Sequence, residues 1–258
     1  MMRTHHAVWL NGQGLQDINE HIYVLDIMES TPNLAIQAVD QTNRDGMRML
    51  SRYRRSREIA ISFLIRHRDI NRRREILDSV LDWCTDGKLT TNARSGQYAD
   101  VKFTQLPTID SSTDWTQALE VIFTSFDAYW KSDDAQTVTT TTAAGTAKEI
   151  TLTPAGTAEH CYLEFEITNG NVGTMDTITI AVNGYTFTFA ALGLAVNKTL
   201  ICAYDDNGFL TLTVDGVSKI AKRSGDDDLI LNQREVNTVT VTTQRAATVT
   251  LTARGRWK

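Results

Sequence analysis

The hydrophobic positions of this chain change rhythm near residue 135. Before it, "REIAISFLIRHR" places Ile59, Ile61, Phe63 and Ile65 on one face of a strand, because side chains alternate along extended backbone. "DINRRREILDSVLDWCTDGKL" then switches to helical spacing, with Ile76, Leu77, Val80, Leu81 and Cys84 as one stripe. Asp69 or Asn71 can cap that helix, and Gly87 is expected to stop it. Further strands are expected at "AVWLNGQGL", "HIYVLDIME", Tyr98 to Phe103 and Gln117 to Thr124. Strands with one good helix predict an α+β layer or a partly open, split-barrel-like sandwich with a covering helix.

After residue 135 the alternation is nearly continuous. Leu163, Phe165 and Ile167 oppose Glu164 and Glu166; Ile178, Ile180 and Val182 oppose Thr177 and Thr179. Asn183-Gly184 then marks a tight hairpin into Tyr185, Phe187 and Phe189. About eight such strands predict an all-β sandwich or jelly roll. Between the halves lies "TVTTTTAAGTAK", Thr137 to Lys148, whose one large apolar residue is Val138. It reads as a linker or a weak edge strand. The predicted organisation is a domain over 1–134, a linker over 135–147 and a sandwich domain over 148–258.

Composition narrows the function classes. The chain has 258 residues, is 41% hydrophobic and carries a formal net charge of −5. No apolar run reaches the length of a membrane helix, so no membrane insertion is expected. The start has no apolar run after its basic residue, which predicts no signal peptide and synthesis in a cytoplasm. Cys84, Cys161 and Cys202 are odd in number and widely spaced, as buried thiols rather than a disulfide framework. An acidic chain is not a generic nucleic-acid binder, but its charge is uneven. Between Arg44 and Arg74 there are eleven arginines and no lysine against Asp45, Glu58 and Asp69, a local +8. Arginine without lysine suits a protein interface better than a solvated face. Arg52, Arg54, Arg55 and Arg57, at the mouth of a strand, are the candidate subunit-interface residues.

Catalytic patterns are missing. None of the five histidines has metal-ligand spacing, and no phosphate loop or nucleophile elbow occurs. Glu164 and Glu166 share a strand face, read as a solvated face before an acid pair. "DDNG" at Asp205 to Gly208 and "GDDD" at Gly225 to Asp228 read as turns before a calcium site. The expectation is no enzyme, no cofactor and no metal. The densest aromatic cluster, Phe123, Phe126, Tyr129 and Trp130, closes the first domain and is expected to pack its edge.

An ordered set of short motifs remains: "VWLNG", then "RDG" at Arg44 to Gly46, "RYRRSREIAISFLI", a helix, "YADVKF", and a strand ending F-x-x-F-D-A-Y-W. This set, over about residues 7 to 131, resembles the N-terminal domain of the distal tail (Dit) proteins of long-tailed siphophages. Asp127, Tyr129 and Trp130 match the family's closing D-P-Y-W phrase, with Ala128 in the proline's place. The resemblance implies a structural virion protein at the tail tip or baseplate. It implies a homohexameric ring that joins the tail tube protein to hub and receptor-binding proteins. DNA would pass through the ring's channel without specific binding, and a galectin-like or other sandwich would project outward. The rival reading is a carbohydrate-binding sandwich with an accessory domain, using Trp257, Tyr185 or Tyr204 as stacking platforms.

Overall fold

The computed structural model describes residues 6–32, 34–40, 47–105, 118–205 and 208–258. The "RDG" motif lies outside them. The chain divides into two compact units, Met1–Trp130 and Lys131–Lys258.

The first unit contains β1 (Val8–Leu10), β2 (Gln13–Gly14), a short α1 (Leu15–Ile18), β3 (Ile22–Glu29), β4 (Leu34–Asp40), β5 (Met47–Arg54) and β6 (Arg57–Ile65). Then come α2 (Ile70–Trp83), β7 (Gly87–Thr91), β8 (Gln97–Gln105), β9 (Ala118–Ser125) and β10, which begins at Trp130 and runs to Ser132. One antiparallel sheet has the order β2-β1-β7-β8-β9-β6-β3. Its inner face carries the alternating residues of β6 and, from β9, Leu119, Val121 and Phe123, all buried. Helix α2 contributes buried Ile76, Leu77, Val80 and Trp83. Trp83 meets Phe123 edge-on, with ring centroids 6.0 Å apart, and its indole N–H donates to the Gln13 carbonyl at 2.9 Å. Asp69 is the N-cap, accepting from the Asn71 amide at 2.8 Å. The helix ends at Cys84 rather than at Gly87, which instead opens β7. Among the described residues, strands β4 and β5 pair only with each other, as a separate two-stranded sheet.

The second unit is a β-sandwich. Its strands are β11 (Gln136–Thr142), β12 (Lys148–Leu152), β13 (His160–Asn169), β14 (Ile178–Val182), β15 (Tyr185–Phe189), β16 (Thr199–Tyr204) and β17 (Leu210–Val214). They continue as β18 (Val217–Ser218), β19 (Arg223–Gly225), β20 (Ile230–Asn232), β21 (Asn237–Thr243) and β22 (Ala247–Ala253); β23 (Arg256–Trp257) follows and lies in neither sheet of the sandwich. One sheet runs β11-β22-β13-β16-β17-β18, with β20 beside β13; the other runs β12-β21-β14-β15-β19. Phe165, Ile180, Phe187, Phe189, Val241 and Leu251 are among the buried residues of the shared core. The Asn183-Gly184 turn closes β14 on β15 with positive φ at both positions (50° and 87°), the twist a two-residue hairpin needs.

The segment expected as a linker is part of this sandwich. Strand β11 pairs with β22 over its whole length, from Gln136↔Ala253 to Thr142↔Ala247. Threonine favours extended backbone, Val138 packs against the core, and one apolar side chain suffices because an edge strand covers little core. The division accordingly falls at Trp130, before the expected linker.

Candidate functional site

The most concentrated polar chemistry of the first unit gathers on Glu29, at the end of β3. Strand β6 starts beside it, and position 57 belongs to the same face as Ile59, Ile61 and Phe63. Arg57 therefore points inward and is 3% exposed. Its Nη1 donates to Glu29 Oε2 at 2.9 Å and its Nη2 to the Ala128 carbonyl at 3.1 Å. Arg94, in the turn after β7, reaches the same carboxylate with Nε at 3.0 Å from Oε1 and Nη2 at 2.8 Å from Oε2. The fully buried Trp130 donates its indole N–H to Glu29 Oε2 at 3.0 Å, and the Arg94 guanidinium lies 5.2 Å from its ring centroid. Burial pushes the Arg57 pKa down, and the nearby Arg94 charge adds to this; the Glu29 carboxylate opposes both.

One carboxylate thus ties together the end of β3, the start of β6, the turn after β7 and the last residue of the unit. It also sits at the root of the β4–β5 hairpin, which leaves after β3 and returns into β6. The root is pinned by a second reciprocal contact, in which the Ser30 amide donates to the Glu58 carbonyl (2.9 Å) and the Glu58 amide to Ser30 Oγ (2.8 Å).

The four candidate interface arginines do not act together. Arg52 lies in β5, Arg54 is half-buried at its end, and Arg55 is exposed in the link to β6. Arg57 is an interior residue, so its assignment to a subunit interface is corrected: strand parity turns it toward Glu29. The longer arginine run is also divided. Strand β6 is about 30 Å long at ~3.3 Å per residue, and it separates Arg54 and Arg55 from exposed Arg66, Arg68, Arg72 and Arg74. Of the aromatic cluster, Phe123 and Trp130 are buried and Tyr129 is half-buried, while Phe126 is 64% exposed. Phe126 falls in the bend after β9, where an Asp127 side chain accepting from the Tyr129 amide (3.2 Å) sets the backbone instead.

The hairpin and the adjoining sheet edge expose apolar side chains. Ile36 is 59% exposed and Leu34 41%; on edge strand β3, Tyr23, Leu25 and Met28 are 45–48% exposed. Charge is also polarised. Residues 1–130 hold 15 Lys and Arg and 17 Asp and Glu; the segment from Arg44 to Arg74 takes 11 and 3 of these, leaving 4 against 14 elsewhere. A +8 segment thus sits in a unit whose remainder is −10.

In the second unit one of the candidate stacking platforms, Tyr204, is engaged. The Tyr204 ring stacks on Tyr162 with centroids 4.8 Å apart, and its hydroxyl donates to Asp228 Oδ1 at 2.8 Å. Burial, then the Asp228 charge, push its pKa up. The Arg256 guanidinium lies 5.0 Å from the Tyr162 centroid. Tyr185 and Trp257 are half-buried. Of the acidic turns, Asp206 and Asn207 lie outside the described residues; Asp205 accepts from the Phe209 amide (2.8 Å), Asp226 from the Thr186 amide (2.6 Å), and Arg223 donates to the Asp226 and Asp227 carbonyls. Glu166 is exposed; Glu164 is half-buried, and burial raises its pKa against the opposing charges of Arg254 and Lys131. Among the described residues no group of three His, Cys, Asp or Glu could hold a metal ion, and no helix is long and apolar enough to cross a membrane.

No protein-family model matches the chain, and no curated protein does. Solved structures do. The crystal structure of the SPP1 Dit protein, described as a paradigm of the hub adsorption apparatus in phages infecting Gram-positive hosts, aligns with a TM-score of 0.65 at 12% identity. The alignment covers 96% of this chain and 98% of that one. Chains of the phage p2 baseplate, in its activated conformation with strontium and with calcium, align with TM-scores of 0.45 and 0.43, each at 10% identity. Over nearly its whole length, the chain shares the fold of a phage Dit protein.

Proposed function

We propose that this chain is a structural protein of a long-tailed phage virion, a Dit protein of the tail tip or baseplate. The observation that carries the reading is the alignment with SPP1 Dit, which spans both units and leaves only 2% of that chain uncovered. In this reading the first unit builds a six-subunit ring around the DNA channel. The second is peripheral, and the ring joins the tail tube protein to hub and receptor-binding proteins. The chain works by assembly, with no reaction and no cofactor.

The surface of the first unit supports assembly. A cyclic ring needs two different faces on each subunit that complement each other. Arg54 and Arg55 at one end of β6 and Arg66, Arg68, Arg72 and Arg74 at the other, in a unit whose remainder is −10, supply opposite charges for such faces. An isolated two-stranded hairpin is at best marginally stable in water, and this one carries exposed Leu34 and Ile36, so a neighbouring subunit is its natural support. Arg54 and Arg55, on the link that returns from the hairpin, are the arginines placed to meet that neighbour.

Native mass spectrometry and electron microscopy of the full chain, alone and with its tail-tube partner, test the ring. Six-fold closed particles are expected; their absence in both samples overturns the reading. The Arg54→Glu, Arg55→Glu variant is expected to shift the population toward smaller species while each monomer stays folded, since close interfacial charge pairs couple by about 1.5 kcal/mol or more.

A further inference from the structure

The two main sheets of the sandwich end in four strands, and three are blunted. Strand β12 carries Lys148 and Glu149, β18 has two residues, and β19 has three, including Arg223. The fourth, β11, has seven residues with no charge and no proline, and it pairs with β22 without a register shift. Folded proteins ordinarily protect such an edge with charge, proline, a bulge or short length, because its outer N–H and C=O groups are a template for another strand. Alternate backbone groups of β11 face away from β22. The ends of β11 are tied to the other sheet, Gln136 Oε1 accepting from the Thr153 amide at 2.7 Å and Thr142 bonding Thr243 through their hydroxyls at 2.7 Å; between them Thr137, Thr139 and Thr141 are exposed on the outer face, and Val138 lies toward the core.

We infer that β11 is a strand-pairing surface and that its occupant is β11 of a second copy of this chain, running antiparallel about a two-fold axis at Thr139. The strand is its own complement. In that register Thr137 meets Thr141 of the other copy, Thr139 meets Thr139, and Val138 meets Thr140. Every outer threonine stays outer, whereas a one-residue slip would exchange the faces. The other side of β11 already shows the chemistry: Thr137 and Thr139 sit opposite Thr252 and Thr250, with hydroxyl oxygens 3.3 and 3.0 Å apart. A hydroxyl both donates and accepts, so the same ladder continues across the axis with no like charges in contact. Seven paired residues fall short of the roughly 800 Å² per partner of a standard stable interface. The contact is therefore weak, and it doubles whatever oligomer the first unit builds.

Sedimentation of the full chain over a concentration series, with Thr139→Lys and Thr139→Glu variants, tests this. Position 139 is exposed, and it meets itself at the axis, so either charge faces its like. The wild type is expected to show a species of twice the base mass at high concentration. Each variant alone should associate at least about fivefold more weakly, and an equal mixture of the two should recover wild-type association. Variants that double as the wild type does, a mixture that fails to recover, or a wild type with no doubled species each overturn the inference. Loss of binding to a tail partner without any doubling assigns β11 to that partner and overturns it too. The outcome is independent of the ring, since Arg54→Glu, Arg55→Glu changes the base mass and Thr139→Lys changes only its doubling.

Discussion

The two units bury polar groups in opposite ways. In the first, the one charged side chain among the fully buried described residues is Arg57, held by Glu29. In the second, the buried polar residues are Thr142, Asn169, Gln233, Asn237 and Thr243, all neutral. Asn237 donates to the Leu152, Asn232 and Glu235 carbonyls and accepts from the Asn232 amide and the Asn183 side chain; Thr142 and Thr243 bond each other at 2.7 Å. A neutral, satisfied network costs little desolvation, whereas a buried ion pair is strongly destabilising once one partner is removed. The lesson is one of division of labour. The sandwich satisfies its buried polar residues with neutral partners, while the first unit concentrates its hairpin root and its final residue on one carboxylate.

That contrast can be broken in order of expected effect. Glu29→Ala leaves Arg57 and Arg94 without their carboxylate and should cost the first unit about 3–5 kcal/mol. Calorimetry should show its transition fall while the transition of the sandwich stays in place. A common shift of both would mean that the units do not unfold separately. Asn237→Ala is the mirror test: it removes donors to three carbonyls and should cost the sandwich about 1–3 kcal/mol, leaving the first unit unchanged. Glu164→Gln has the smallest effect and the opposite sign. Burial raises the Glu164 pKa, so the folded chain retains a proton that the unfolded chain releases. Stability therefore falls as pH rises from the ordinary carboxylate range through the folded value. The variant should be slightly more stable than the wild type at neutral pH and equal to it in acid below that range, read from the melting temperature of the sandwich at each pH. A gain that persists in acid would assign the effect to packing.

Where a pattern is local, the sequence shows it. The alternation of β6, the stripe of α2 with its Asp69 cap, and the Asn183-Gly184 hairpin rest on neighbours within a few residues. The strand over Thr137 to Thr142 could be read as an edge strand or as a linker, because its alternation is threonine against threonine, with Val138 as its lone apolar marker. The Glu29 cluster was hidden for another reason: its partners lie 28, 65 and 101 residues away. One sign was available, since position 57 continues the inward face of Ile59, Ile61 and Phe63, and an arginine there needs an acidic partner inside. The same parity separates Arg57 from the surface role of Arg55.

The sandwich closes on its own two ends. The Ser132 amide donates to the Gly255 carbonyl at 2.8 Å, and Gln136 lies opposite Ala253. Entry and exit are thus neighbours. A body threaded this way is a cassette. It can be circularly permuted, its old ends joined by a short loop and new ones opened at the Asn183-Gly184 turn, with no strand leaving its sheet.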